Sequence, residues 1–278
     1  MKNFFKLLNF EINRFMKLYV VLLVTVFVLQ IIGTIIAAKG YMRMANNAVL
    51  QGGMSQLEFI ETYEKFSISN ALYSVWFLGP IAIGVTALLF YVFFIWYRDW
   101  FAKNTFIYRL LMLPTTRMNI FFTKATTIML TVLGLVAFQI VLLVLHNNII
   151  KWIVPKVYRI DLSIIEIANA FEYLSIIIPN GFAEFVIAYG LGFSFVVVIF
   201  TAILMERSFK LKGIILGLAY ISASCLLFLS PYSIQYLITG KAYLYPEELF
   251  IVQIGIWIIS VTVSLIVSRY LLKNKVTV

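Results

Sequence analysis

The chain has 278 residues, 63% of them apolar and 12% charged, and its mean hydropathy is +0.98, whereas a soluble domain is about 45–50% apolar and about 25% charged. That composition excludes a soluble globular fold. The apolar residues come in blocks of about 17 to 25, enough at about 1.5 Å per residue to cross about 30 Å of hydrocarbon, which implies an all-α integral membrane protein. The single cysteine excludes an internal disulfide framework.

Residues 1–17, "MKNFFKLLNFEINRFMK", put Lys2, Lys6, Asn9, Asn13 and Lys17 on one face of a helix and Phe4, Phe5, Leu8, Ile12 and Phe15 on the other. The pattern predicts an interfacial elbow helix, its apolar face at the headgroup boundary and its lysines against anionic lipid. The long block that starts at Leu18 exceeds a signal-peptide core and lacks a small-residue cleavage pattern. Windows of about 19 residues place six spans at Leu18–Ala38, Leu72–Trp96, Ala125–Leu145, Phe182–Met205, Gly213–Leu229 and Leu249–Val267. Cys225 falls within the fifth, where a small buried residue is expected. No repeat or Gly/Ser-rich linker divides the chain, which reads as a single transmembrane domain over residues 1–278.

Between the first two spans, Ser55 and Glu58 form a capping box that opens a short helix through "MSQLEFIETYEKF". Ser163 and Glu166 repeat it after the third span, with Asn169 and Tyr173 continuing the helical spacing and Pro179 ending it. Asp161, Glu166 and Glu172 make Ile160–Ile178 too costly to immerse, so both segments are read as short helices on the outer surface. An even number of spans puts both termini on one side, and Lys and Arg decide which. Lys2, Lys6, Arg14, Lys17, Arg98, Lys103, Arg109, Arg117, Lys124, Arg207, Lys210, Lys212, Arg269, Lys273 and Lys275 share that side, opposed only by Glu11, Asp99 and Glu206. Both termini are therefore expected in the cytoplasm. The net charge of +10 then follows from topology and calls for no nucleic-acid partner.

Between the second and third spans lies "FIYRLLMLPTTRMNIFFTK". Asn104 or Thr105 can cap a short helix on which Phe106, Leu110 and Leu113 share a face. Pro114 ends it by restricting Leu113 to extended geometry. Thr115 or Thr116 can cap the next helix, with Arg117 and Lys124 marking the headgroup level. This spacing predicts a short transverse helix tied to two spans, able to transmit force from a soluble partner.

With these elements in place, the chain resembles the permease subunits of ABC transporters of the ABC-2 type. The basic amphipathic N-terminal helix, the six spans and "LLMLPTTRMNIFFTK" carry the resemblance, the last matching a Leu-Leu-x-x-Pro-x-[Ser/Thr]-Arg pattern followed by Lys at Leu110, Leu111, Leu113, Pro114, Thr115, Thr116, Arg117 and Lys124. The Glu and Gly often found upstream in that family are replaced here by "YRDWFAKNTF". The resemblance implies a cytoplasmic coupling helix that docks on a separate ABC ATPase subunit, through Asn104, Phe106, Arg109, Leu110, Leu113, Pro114 and Arg117. It implies a second contact in "MERSFKLKG" through Glu206, Arg207 and Lys210, and a re-entrant hairpin between Pro231 and Pro246. It further implies two permease copies, identical or paralogous, in a bacterial cytoplasmic membrane. They would export an amphipathic or hydrophobic cargo, foremost a peptide such as a toxin, bacteriocin or modulin, by alternating access.

No G-x-x-x-x-G-K-[ST] occurs, and "TGKA" at Thr239–Ala242 lacks its first Gly and its hydroxyl residue. The chain is thus expected to be no enzyme and to bind no cofactor itself, with ATP and Mg²⁺ held by the partner ATPase. The lone His146 is expected at the outer interface. Glu184, in the first turn of the fourth span, is a carboxylate whose placement suits the helix dipole as well as a cationic cargo. Gln30, Thr34, Thr86, Gln139 and Ser194 are the in-span polar residues expected to face a cavity, with interhelical hydrogen bonding as the competing role for each. The alternative function is a non-transporting membrane sensor or immunity protein that binds a peptide at its outer face.

Overall fold

A computed structural model describes residues 2–101, 106–163, 166–167, 174, 177–179, 181–238 and 245–276. Among them the chain is helical, the only extended pairing being an isolated bridge between Phe66 and Arg159. The helices are α1 (Lys2–Leu50), α2 (Gln56–Tyr63), α3 (Ile68–Leu72), α4 (Val75–Phe101), α5 (Phe106–Leu111), α6 (Arg117–Ile153), α7 (Phe182–Phe209), α8 (Leu211–Tyr232) and α9 (Pro246–Asn274). A 3₁₀ turn, Lys156–Tyr158, follows α6, and a π turn, Ser233–Ile238, follows α8. Six helices, α1, α4 and α6 to α9, are long and apolar enough to cross a membrane; five contain one of the blocks read from the sequence, and α4 begins at Val75, three residues after the expected Leu72. The chain is a multi-pass membrane protein by this measure.

Two further features differ from expectation. Residues 1–17 are not set off from the first span, because α1 runs unbroken from Lys2 to Leu50. Neither Gly nor Pro stands near Lys17 to interrupt it. Its 49 residues extend about 70 Å at about 1.5 Å per residue, well past about 30 Å of hydrocarbon. Cys225 is exposed rather than buried, on a helix of which only 11% of the most apolar stretch is covered by the rest of the chain.

The chain divides into two compact units. One comprises Met1–Ile12, Leu89–Met129 and Val186–Val278; the other comprises Asn13–Leu88 and Leu130–Phe185. In the first, α7 and α8 meet at a tight corner. Lys210 takes φ 54° there, and the Gly213 N–H bonds the Lys210 carbonyl at 2.9 Å. A Cβ at position 213 would lie 2.7 Å from the Glu206 Cα, so the close approach requires glycine.

The second unit holds a packed core of Phe59, Phe66, Leu72, Leu143, Val154 and Ile167, each nearly or fully buried. Phe59 sits among the rings of Tyr41, Tyr63 and Tyr158 at centroid distances of 5.7, 5.0 and 6.0 Å. The predicted capping box is present: Ser55 N–H donates to Glu58 Oε2 at 2.8 Å, and Glu58 N–H donates to Ser55 Oγ at 3.2 Å. Ser163 and Glu166 make the same pair of bonds at 2.7 and 3.3 Å. Most of the helix expected beyond Glu166, with Asn169 and Tyr173, lies outside the described residues. Arg159 terminates α6 by donating to the carbonyls of Lys151 and Val154 at 3.2 and 2.8 Å, a C-cap by a cation.

Candidate functional site

In the first unit, α5 faces the start of α1. Phe106, Leu110, Leu113, Pro114 and Thr115 on one side and Asn3, Lys6, Leu7 and Phe10 on the other line a groove of about 340 Å³. The rings of Phe10 and Phe106 stack at 5.7 Å with 27° between planes, and Asn3 Nδ2 donates to the Pro114 carbonyl at 3.4 Å. Phe106, Leu110 and Leu113 thus share one face, as the spacing predicts. The helix ends earlier than expected, at Leu111. Pro114 bars Leu113 from helical geometry, and the chain turns with Thr115 N–H bonding the Leu113 carbonyl at 2.7 Å. Leu110 is 4% exposed and so is an anchor within this unit, not a docking surface. The turn presents Arg109, Met112, Leu113, Pro114 and Thr116 outward. Asn104 lies outside the described residues.

Arg117 and Lys124 are both held by partners within this unit. Arg117 Nη1 donates to the carbonyls of Leu272 and Val276 at 2.6 and 2.8 Å, closing the end of α9. Lys124 is fully buried. Its ammonium donates to Glu11 Oε1 at 2.8 Å, to the Ile95 carbonyl at 2.9 Å and to Asp99 Oδ2, with the Trp96 ring 5.3 Å away. Arg98 Nη2 donates to the second oxygen of Glu11 at 2.7 Å. Two carboxylates and two cations therefore meet in a cluster that pins α1, α4 and α6. Burial of such charges is tolerated only because each is paired and hydrogen-bonded.

Glu206 accepts from Tyr97 Oη. Arg207 lies 3.5 Å from the Glu206 carboxylate and stacks over Tyr97 and Phe101 at 4.8 and 4.7 Å, within the usual range of cation–π contacts. Each acid expected on the cytoplasmic side is thus held by a named partner. The sequence carried that signal: three acids alone among many cations fit buried counter-ions better than surface charge.

In the second unit, three of the expected cavity residues come together, but with each other. Gln30 Nε2 donates to the Phe77 carbonyl at 3.2 Å and to Gln139 Oε1 at 3.3 Å, and Gln139 Nε2 returns a bond to Gln30 Oε1 at 3.3 Å. His146 Nε2 is also 3.3 Å from Gln30 Oε1, and Thr34 Oγ1 is 2.8 Å from His146 Nδ1. The Phe77 carbonyl fixes the Gln30 amide, so Oε1 faces His146 Nε2, and the Thr34 hydroxyl beside Nδ1 donates to the Gln30 carbonyl at 3.0 Å. His146 is buried, with the Phe77 ring edge-on at 5.6 Å. Thr86 and Glu184 are exposed, and Ser194 is half-buried with its hydroxyl donating to the Leu191 carbonyl at 2.7 Å.

The chain matches no family model, no curated protein and no solved structure.

Proposed function

We propose that the chain is the membrane-spanning subunit of an ATP-driven exporter of the ABC-2 type, with ATP and Mg²⁺ bound by a separate ATPase. The observation that supports this most is the α5–Pro114 turn. It presents Arg109, Met112 and Leu113 outward. It is braced on α1 through the Phe10–Phe106 stack and the Asn3–Pro114 bond, and on α6 through Asn119 Nδ2, which donates to Thr115 Oγ1 at 2.6 Å. A push on this turn from a cytosolic subunit passes to α1 and α6. The buried Glu11–Lys124–Asp99 cluster couples those helices to α4, which suits alternating access between discrete packings. The Glu206–Lys210 corner, with Arg207 stacked on α4 aromatics, supplies the second contact.

On this reading the N-terminal third of α1 is the elbow and both termini are cytoplasmic in a bacterial membrane. The weakly covered α9, 6% buried over its most apolar stretch, meets lipid or the second permease copy. The cargo is amphipathic, a hydrophobic peptide foremost.

Co-expression with genomic neighbours followed by purification in detergent tests the reading. An ATPase should co-purify in stoichiometric amount and be lost from Arg109→Glu/Leu113→Asp, whose sites are exposed, without a change in elution volume. A chain that purifies alone, whatever the nucleotide, removes the exporter. A second reading, a peptide-binding sensor or immunity protein, is favoured by the packed core of α2, α3 and Tyr158 and by Leu57, Trp152 and Val157 exposed around it, at 73%, 84% and 53%. It predicts peptide binding that the same double substitution leaves intact.

A further inference from the structure

The groove between α1 and α5 has a chemistry that coupling to an ATPase does not require. Its walls are Leu7, Phe10, Phe106, Leu110, Leu113 and Pro114, and the cation on its rim is Lys6. Lys6 is exposed. Neither bounding segment, 3–10 or 106–115, contains an Asp or Glu. The acids nearest in sequence, Glu11 and Asp99, are buried and bound to Arg98 and Lys124. Arg109, beside Leu110, is exposed as well. The two lining segments thus carry two exposed cations and no acid. The groove opens at the first turns of α1, a helix that continues into an apolar span, which puts it at headgroup depth. At about 340 Å³ it is at the small end of ligand cavities.

We propose that this groove binds one acyl chain of an anionic phospholipid, with the lipid phosphate held at Lys6. An apolar slot with a basic rim at the membrane boundary matches a hydrocarbon tail beneath a phosphate, and the cation selects anionic over zwitterionic headgroups. The lipid would wedge α5 against α1, so that the set of the α5 turn follows the lipid composition of the leaflet.

Native mass spectrometry of the purified full chain, titrated separately with phosphatidylglycerol and phosphatidylcholine, reads the selectivity. A photoactivatable phosphatidylglycerol then reads the place. The expected result is one tightly retained phosphatidylglycerol, preferred by about five-fold for the one cation, with cross-links in residues 3–10 and 106–115. Lys6→Gln should abolish the preference, and Leu113→Trp, filling the slot from an exposed position, should abolish retention while leaving elution unchanged. Equal retention of the two lipids, cross-links confined to other segments, or retention of co-purified peptide in place of lipid would each overturn the assignment.

Discussion

Replacing Lys124 with Met removes the one ammonium that serves two buried carboxylates. The side chain is 0% exposed, as is that of Asp99, and Glu11 is 3% exposed, so water cannot take its place. Glu11 keeps Arg98, at 2.7 Å, while Asp99 loses its ion pair with Lys124. Breaking a buried pair by deleting one partner costs about 3–5 kcal/mol, and every 1.4 kcal/mol is about ten-fold. The unfolding equilibrium should therefore shift by about two to three and a half orders of magnitude. Arg98→Met should cost less, because Arg98 is 15% exposed and serves Glu11 alone among the cluster's acids. Adding Glu11→Gln to Lys124→Met should restore part of the loss, giving a non-additive cycle. Denaturant titration in mixed micelles reads all three. A Lys124→Met variant that loses less than about 1 kcal/mol, the worth of an exposed pair, refutes a buried, mutually dependent cluster.

Gln30→Leu strands Gln139 and His146 and should cost about 1–2 kcal/mol, while Gln30→Leu with Gln139→Leu should cost less than the two single changes summed; the same titration checks both. Gly213→Ala meets the Glu206 backbone, its Cβ 2.9 Å from the Glu206 carbonyl oxygen, and should lower the melting temperature, whereas Gly255→Ala, with nothing within 4 Å, should not. Equal effects would remove the tight α7–α8 corner. The Ser55 amide, then its hydroxyl, hold the Glu58 carboxyl below its ordinary value. With the folded pKa below the unfolded one, the capping box contributes in full above the ordinary Glu value of about 4.3 and is lost as pH falls through the folded value. Hydrogen exchange should show the amides of Gln56–Tyr63 losing protection on acidification, and Glu58→Gln, which removes the titrating group, should remove that dependence.

Six long apolar helices were legible because an unbroken hydrophobic run of membrane length is too costly to leave in water and satisfies its backbone in lipid only as a helix. Ser55–Glu58 and Ser163–Glu166 were legible because a capping box is local. Lys124 was not, because a window along the chain shows charge at the edge of an apolar block and not the two carboxylates that meet it from Glu11 and Asp99, 113 and 25 residues away. The burial of His146 escaped for the same reason: its neighbours Gln30 and Thr34 lie 116 and 112 residues distant. Polar residues spaced along different spans give no sign of whether they face a cavity or one another. Gln30, Thr34 and Gln139 do the latter, since in a water-poor interior an unpaired amide is costly. Leu110 was legible as part of an apolar face, but not which side of α5 that face would meet.

Reconstitution of the chain with its co-purifying ATPase into liposomes loaded with a fluorescent amphipathic peptide tests the central claim most directly. The account predicts peptide movement that requires ATP, Mg²⁺ and both proteins, and that fails with Arg109→Glu/Leu113→Asp. Peptide bound by the chain alone with unchanged affinity, and no ATP-dependent movement, would contradict it and leave a membrane sensor in its place.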